Sequence, residues 1–374
     1  MAAPQPDIVA TELLRQVLVD AGDRGAEWIW ETLTESTSVQ PELIGRRMHD
    51  MAVLHGAAEQ RLAECLIHAV EGRLERAEAW RAFQYDESFR VSPVAVAVGR
   101  TLLAKRTLTD EERATLLNSL SIQLATSGDD MGALAAIREA VEIRRRLAQA
   151  NPARFEPDLA LSLNNLSVRL PASDDNTGAL AAIREAVEIL SRLAQANPRF
   201  EPGLAMSLNN LSTQLPASGD DTGALAANRK AVEIYRRLAQ ANPVHFESDL
   251  ASSFSNRSTL LAASGDGTGA LAAIREAVEI YRRLEQANPA RFEPNLASGL
   301  YNLSGQLCAS GDNAGALAAI REAVEIRRRL AQANPARFEP DLAGSLNNLS
   351  LRLATSGDNA GALAASRVAG EIYR

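Results

Sequence analysis

Four side chains near the start of the chain have the types needed for metal or thiol chemistry: His49, His55, Cys65 and His68. Cys65 and His68 are three residues apart and share a face if that stretch is helical. Structural zinc sites are built from two such close-spaced pairs, and only one is present. A thiol nucleophile needs a base that a third group orients, and no residue here marks that group. These residues therefore read as a buried thiol and partly exposed imidazoles, with no metal and no cofactor. The Ser-Gly-Asp-Asp and Ser-Gly-Asp-Gly stretches, Ser127–Asp130 and Ser264–Gly267, offer oxygens for calcium. They lack the alternating ligands and the closing glutamate of a calcium loop, so they read as turns. No glycine-rich loop ends in Gly-Lys-Ser/Thr, so no phosphate loop is present. The expectation is a chain without a catalytic centre.

The remaining chemistry is that of side-chain amides. A Leu-Asn-Asn phrase (Leu-Asn-Ser in its first copy) returns along the chain and places Asn118, Asn164, Asn209 and Asn347 at one equivalent position. An amide offers a donor and an acceptor together, so a row of them can pair with an extended peptide backbone whatever its sequence. The alternative is that the amides pair with one another inside the array and were copied by duplication. Two copies depart from the phrase. One has Ser255 at the Asn position and Arg257 where Leu166 and Leu211 stand; another has Tyr301 at the Asn position. Tyr and Arg often carry binding energy at interfaces. A guanidinium in a packed seam must find a carboxylate or reach water, so the unit with Arg257 is expected to be looser.

These residues are positioned by a repeated element. Gly-Ala-Leu-Ala-Ala-Ile-Arg-Glu-Ala-Val-Glu-Ile, complete at Gly132–Ile143, returns closing on Ile189, Ile234, Ile280, Ile326 and, degraded, Ile372. The step is about 46 residues, once about 45, which marks a stacked repeat. In the second copy Leu180, Ile183, Ala186 and Val187 fall on one helical face, while Arg184, Glu188 and Arg192 are spaced for i,i+4 pairs on the other. Asn197-Pro198 closes that helix, since proline disfavours helical geometry in the residue before it. A second helix precedes each phrase, clearest at Asp158–Leu170, with Leu159, Leu163, Leu166 and Leu170 buried and Pro157 in the first turn. A connector carries one phenylalanine per unit (Phe155, Phe200, Phe246, Phe292, Phe338) and is expected to plug the seams. Such a unit cannot bury its apolar face alone, so the copies must stack.

A large residue, Leu, a small residue and a large residue at Leu163, Leu166, Ser167 and Leu170, followed by Ala179, Ile183 and Ala186, resemble the tetratricopeptide pattern. The unit exceeds the usual 34 residues by about twelve, in the Arg-Arg-Leu-Ala-Gln-Ala-Asn-Pro extension. With its Leu-Asn-Asn-Leu-Ser phrase it resembles the kinesin-light-chain-like subgroup, and especially the near-identical arrays of bacterial regulatory and defence proteins. That resemblance implies an all-α, right-handed superhelical solenoid whose first helices line a concave groove. It places Asn118, Asn164, Asn209, Ser255, Tyr301 and Asn347 on the groove, with Ile122, Val168, Thr213, Thr259, Gly305 and Leu351 beside them. It also implies a peptide or protein partner, and an effector such as a caspase-like protease or an NTPase acting in trans.

The expected organisation is an N-terminal helical cap or adaptor, 1–110, and six repeats over 111–374 (about 112–155, 156–201, 202–246, 247–292, 293–338 and 339–374). The cap reads as helices over about 7–33, 41–70 and 71–83, an aromatic cluster at Trp80, Phe83 and Tyr85, and a short helix at 93–103. The formal net charge of −8 gives no expectation of affinity for nucleic acid or anionic membrane. Two cysteines far apart suggest no disulfide framework, no membrane-length apolar stretch appears, and the start shows no secretory signal, so a cytoplasmic place is expected. Lys105 and Lys230 are the only lysines, a bias of arginine-rich, high-GC bacterial coding. The leading function is a non-enzymatic peptide- or protein-binding scaffold. The alternatives are a self-assembling structural module and an enzyme with its site in residues 1–110.

Overall fold

The computed structural model describes residues 92–373 except 106 and 334, together with 67, 68, 71, 72 and 77. The helices expected over 7–33, 41–70 and 71–83, the Trp80 cluster, His49, His55 and Cys65 lie outside the described residues or almost entirely so. The described residues form an all-α solenoid in which, within each of two units, each helix packs on the next in sequence. The chain divides into two compact units, 1–175 and 176–374.

In the first unit, α1 (Ser92–Lys105) packs on α2 (Asp110–Thr126), followed by α3 (Asp130–Ala150), α4 (Pro152–Arg169) and a 3₁₀ turn at Leu170–Ser173. α1 buries Val94, Val98 and Leu102 completely. Thr109 caps α2 through a capping box with Glu112, satisfying amides that the first turn leaves without partners. The second unit runs α5 (Asn176–Ala196), α6 (Glu201–Gln214), α7 (Asp221–Ala241), α8 (Pro243–Ala263), α9 (Gly267–Ala287), α10 (Pro289–Ala309), α11 (Asn313–Ala333), α12 (Pro335–Thr355) and α13 (Asn359–Ile372). The even-numbered helices from α2 onward carry the Leu-Asn-Asn phrase and are called first helices below; α3 and the later odd-numbered ones carry the Gly-Ala-Leu phrase.

The Gly-Ala-Leu phrase explains itself residue by residue. Asp129 caps α3 by accepting from the Gly132 amide at 2.9 Å. A Cβ on Gly132 would fall 2.5 Å from that carboxylate, so the phrase must begin with glycine. The same cap recurs at Asp220, Asp266, Asp312 and Asp358. The alanines then let helices approach closely, and Ile137, Ile183, Ile274 and Ile320 are fully buried. Each such side chain stabilises the fold by about 2–3 kcal/mol relative to exposure. The Ser-Gly-Asp turns hold Gly128, Gly219, Gly265, Gly311 and Gly357 at φ between 80° and 87°, and Asp174 takes the equivalent left-handed place at φ 61°.

The connector differs from the sequence expectation. The Asn-Pro segment is not a separate link: α4 starts at Pro152, so Phe155 is helical and Pro157 lies inside the helix rather than in its first turn. Asn151 closes α3 and opens α4 together, in an extended conformation (φ −147°, ψ 84°) that its following proline favours. At the end of the second repeat one residue is missing before the phenylalanine. There Pro198–Phe200 forms a separate 3₁₀ turn, and α6 begins only at Glu201. Phe155, Phe200, Phe292 and Phe338 each have an arginine over the ring, at 5.0 Å for Arg154 on Phe155 and 5.1 Å for Arg291 on Phe292, whereas Phe246 meets His245 edge-on. The repeated ion pairs on the arginine-rich helices run between helices rather than along one, as in Arg237–Glu201, Arg283–Glu247 and Arg329–Glu293.

Candidate binding face of the first helices

The small residue of the Leu-Ser step brings each first helix close to its neighbours. Ser121, Ser167 and Ser212 are completely buried, and the hydroxyls of Ser121 and Ser212 return to the carbonyls of Asn118 and Asn209. This fixes the rotation of each first helix, and with it what the phrase presents.

In the first unit the amide of Asn118 lies between α2 and α4. Its Oδ1 accepts from Ser162 Oγ at 3.0 Å and from Asn165 Nδ2 at 3.1 Å. Ser162 Oγ in turn accepts from Arg144 Nη1 at 2.6 Å, and the same nitrogen donates to the Asp158 carbonyl at 2.9 Å. Asn118 and Asn164 are 7% and 2% exposed, so these amides register the helices. The exposed residues of this face include the apolar Ile122 and Leu161 at 40% each and Val168 at 48%, with Thr115 beside them at the position equivalent to Leu161.

The second unit repeats the register. Asn256 Nδ2 donates to Asn209 Oδ1 at 3.2 Å, which joins α8 to α6 just as Asn165 joins α4 to α2. Arg257 is half-buried and makes no ion pair among the described residues. Tyr301 is half-buried with the Arg327 guanidinium 5.3 Å from its ring centre. Asn347 is exposed, as are Thr213, Thr259 and Leu351. The set of equivalent positions thus splits: Asn118 and Asn164 sit in the seam, Asn209, Arg257 and Tyr301 at its edge, and Asn347 on the surface.

One position under this face was not singled out by sequence. The residue after Glu-Ile is Arg144, Leu190, Tyr235, Tyr281 and Arg327 in the first five copies, each buried, and the exposed Tyr373 in the sixth. Its signal was variation inside an otherwise fixed phrase. Burial pushes the Tyr281 hydroxyl up, and side-chain hydrogen bonds with Asn295, Ser252 and Ser255 partly offset this. Burial likewise raises Tyr235, and the charge of Asp249 adds to it. Arg144 and Arg327 are held below the usual guanidinium range by burial, opposed by the charges of Asp158 and Asp341 respectively.

His68 is exposed, and among the described residues no three His, Cys, Asp or Glu side chains group as metal ligands. The Ser-Gly-Asp aspartates serve as helix caps. No described helix is long and apolar enough to cross a membrane.

With this geometry in hand, the comparisons are specific about architecture. The tetratricopeptide repeat family model matches residues 204–245 and 250–289. Comparison with curated proteins gives no match. Among solved structures, BtubC (BKLC) from P. vanneervenii has a TM-score of 0.52 at 22% identity, over 64% of this chain and 89% of that one. The apo form of RapI has a TM-score of 0.53 at 14% identity, over 81% and 92%. Aspartyl phosphate phosphatase F from Bacillus subtilis has a TM-score of 0.53 at 11% identity, over 100% and 85%. At these identities the likeness is one of fold.

Proposed function

We propose that this chain, whose residues 204–245 and 250–289 match the tetratricopeptide repeat model, is a non-enzymatic scaffold of the kinesin-light-chain-like type whose first-helix face binds an extended peptide or a loop of a partner protein. The observation that carries this reading is the exposed apolar row on the first helices. Ile122, Leu161 and Val168 stand on one face in the first unit, and Leu351 stands on α12 in the second. In the first unit α2 and α4 are locked by buried amides and serines, so Ile122, Leu161 and Val168 are presented on a rigid floor, which lowers the ordering cost of binding. The exposed amide of Asn347 and the edge residues Asn209, Arg257 and Tyr301 supply polar and aromatic contacts beside it. A regulatory or recognition role in a bacterial system, with a protease or NTPase effector in trans, rests on resemblance of the repeats alone.

The test is affinity capture from a lysate of the native host with the whole chain and with Val168→Glu and Leu351→Glu variants. A partner that is retained by the parent and lost from the variants, at unchanged circular dichroism, supports the reading. Equal retention by all three places binding elsewhere on the molecule.

A further inference from the structure

Resting on the reading of the first-helix face as a binding surface, we infer that Arg144 and Arg327 are carboxylate-binding sites beneath that face, one in each unit. Each would take an acidic side chain or terminal carboxylate of the bound segment. Burying a guanidinium is costly unless an anion accompanies it, and surface arginines of this chain do have such partners. Arg144 and Arg327 are 5% and 7% exposed, yet neither has a carboxylate within ion-pair distance among the described residues. Their acceptors are neutral. Arg144 Nη1 donates to the Asp158 carbonyl and the Ser162 hydroxyl, and Arg327 Nη1 to the Asp341 carbonyl and the Ser345 hydroxyl. Asp158 and Asp341 are thus engaged through their backbones, and their carboxylates act on the guanidiniums only at longer range.

The same build leaves the Nε–Nη2 edge open at Arg144, and at Arg327 leaves Nε open beside an Nη2 that reaches Ser298. Nη1 is committed twice over, whereas Nε of both residues and Nη2 of Arg144 take no hydrogen bond among the described residues; Arg327 Nη2 has one long contact, 3.4 Å, to Ser298 Oγ. None of these three open nitrogens is among the buried side-chain atoms sealed off without a partner, as the Nε atoms of Arg169 and Arg352 are. An Nε–Nη2 edge is a planar pair of donors that matches a carboxylate in two parallel hydrogen bonds. Ser298 is an exposed residue of α10, and its contact brings the Arg327 guanidinium up to the first-helix face. Packing does not require a cation there, because Leu190, Tyr235 and Tyr281 are buried at the equivalent position. A lone guanidinium in a chain of net charge −8 favours a single carboxylate over a polyanion.

The full chain, labelled at arginine nitrogens, is titrated with sodium acetate against sodium chloride of equal ionic strength, and the Nε–Hε resonances are followed by NMR. Arg144→Tyr and Arg327→Tyr assign the two signals, using a residue that the array itself carries at this position. Saturable movement of both signals with acetate, not chloride, is the expected result. Static signals overturn the proposal even if peptides bind the face, and inorganic phosphate saturating them at lower concentration than acetate also overturns it. In a second arm, acetylated and amidated peptides of Leu, Ser and Asn with one central Glu or Gln are compared. The Glu peptide should bind at least fivefold tighter, and the double Tyr variant should lose that advantage while still binding the Gln peptide. Equal affinity of the two peptides for the parent chain sinks this inference and leaves the binding face standing. Acetate movement without any peptide binding would retain the carboxylate sites and remove the peptide reading.

Discussion

Asn228 occupies the place where the other intact copies of the phrase have Ile137, Ile183, Ile274 and Ile320, and like them it is fully buried. Its Nδ2 donates to the Ser253 carbonyl at 3.0 Å, but its Oδ1 has no partner. Asn228→Ile should therefore stabilise the protein. Removing a buried acceptor with no partner recovers about 1–3 kcal/mol, and the lost amide hydrogen bond costs about 1 kcal/mol. Burying the isoleucine side chain adds about 2–3 kcal/mol. The net gain is about 2–3 kcal/mol, after allowance for some adjustment around the added methyl groups. Steric room is supported by the neighbouring copies, where isoleucine sits among the same alanines. A repeat array couples mainly neighbour to neighbour, so the gain should be local. Hydrogen exchange should slow most in α7 and α8, with a smaller rise in the urea midpoint of the whole chain. Asn228→Ala should gain less, because it leaves a cavity. If Asn228→Ile lowered the midpoint or sped exchange in α7, the orphaned carbonyl would be no liability and the reasoning would fail.

Asp174→Gly should raise stability by about 0.5–1 kcal/mol, since the residue sits at φ 61° where five other turns have glycine; thermal denaturation checks it. Asn118→Ala should lower stability by about 1–2 kcal/mol, because Ser162 and Asn165 both lose their acceptor, whereas Asn347→Ala should leave the melting temperature nearly unchanged. Gly370 stands in α13 where other copies have Val, with nothing within 4 Å of an added Cβ, so Gly370→Ala should gain about 0.5–1 kcal/mol and slow hydrogen exchange in 361–373. Gly132→Ala should cost stability at the start of α3, seen as faster exchange there, because its Cβ would displace the Asp129 cap.

The sequence alone determined the local structure, because each repeat carries its own instructions at short range. The Asp cap with its obligatory glycine, the Ser-Gly-Asp turn and the extended Asn before proline act within a few residues, and repetition printed them several times over. The tertiary structure decided where the helices begin and what the face presents. Proline has a strong preference for a first turn, so Pro157 reads as a helix start, yet Pro152 takes that place and the chain stays helical past Pro157, as it does past Pro294 in the helix that Pro289 opens. The amides show the same limit. Leu-Asn-Asn fixes two neighbouring positions about 100° apart on a helix, and only the rotation of α2 against α4 puts Asn118 under Ser162 and Asn165. Arginine in Glu-Ile-Arg-Arg-Arg looks like a solvated run in sequence, but helix geometry turns Arg144 inward while Arg145 and Arg146 face water. Burial of a charge depends on what packs over it from a distant part of the chain, and no local pattern records that.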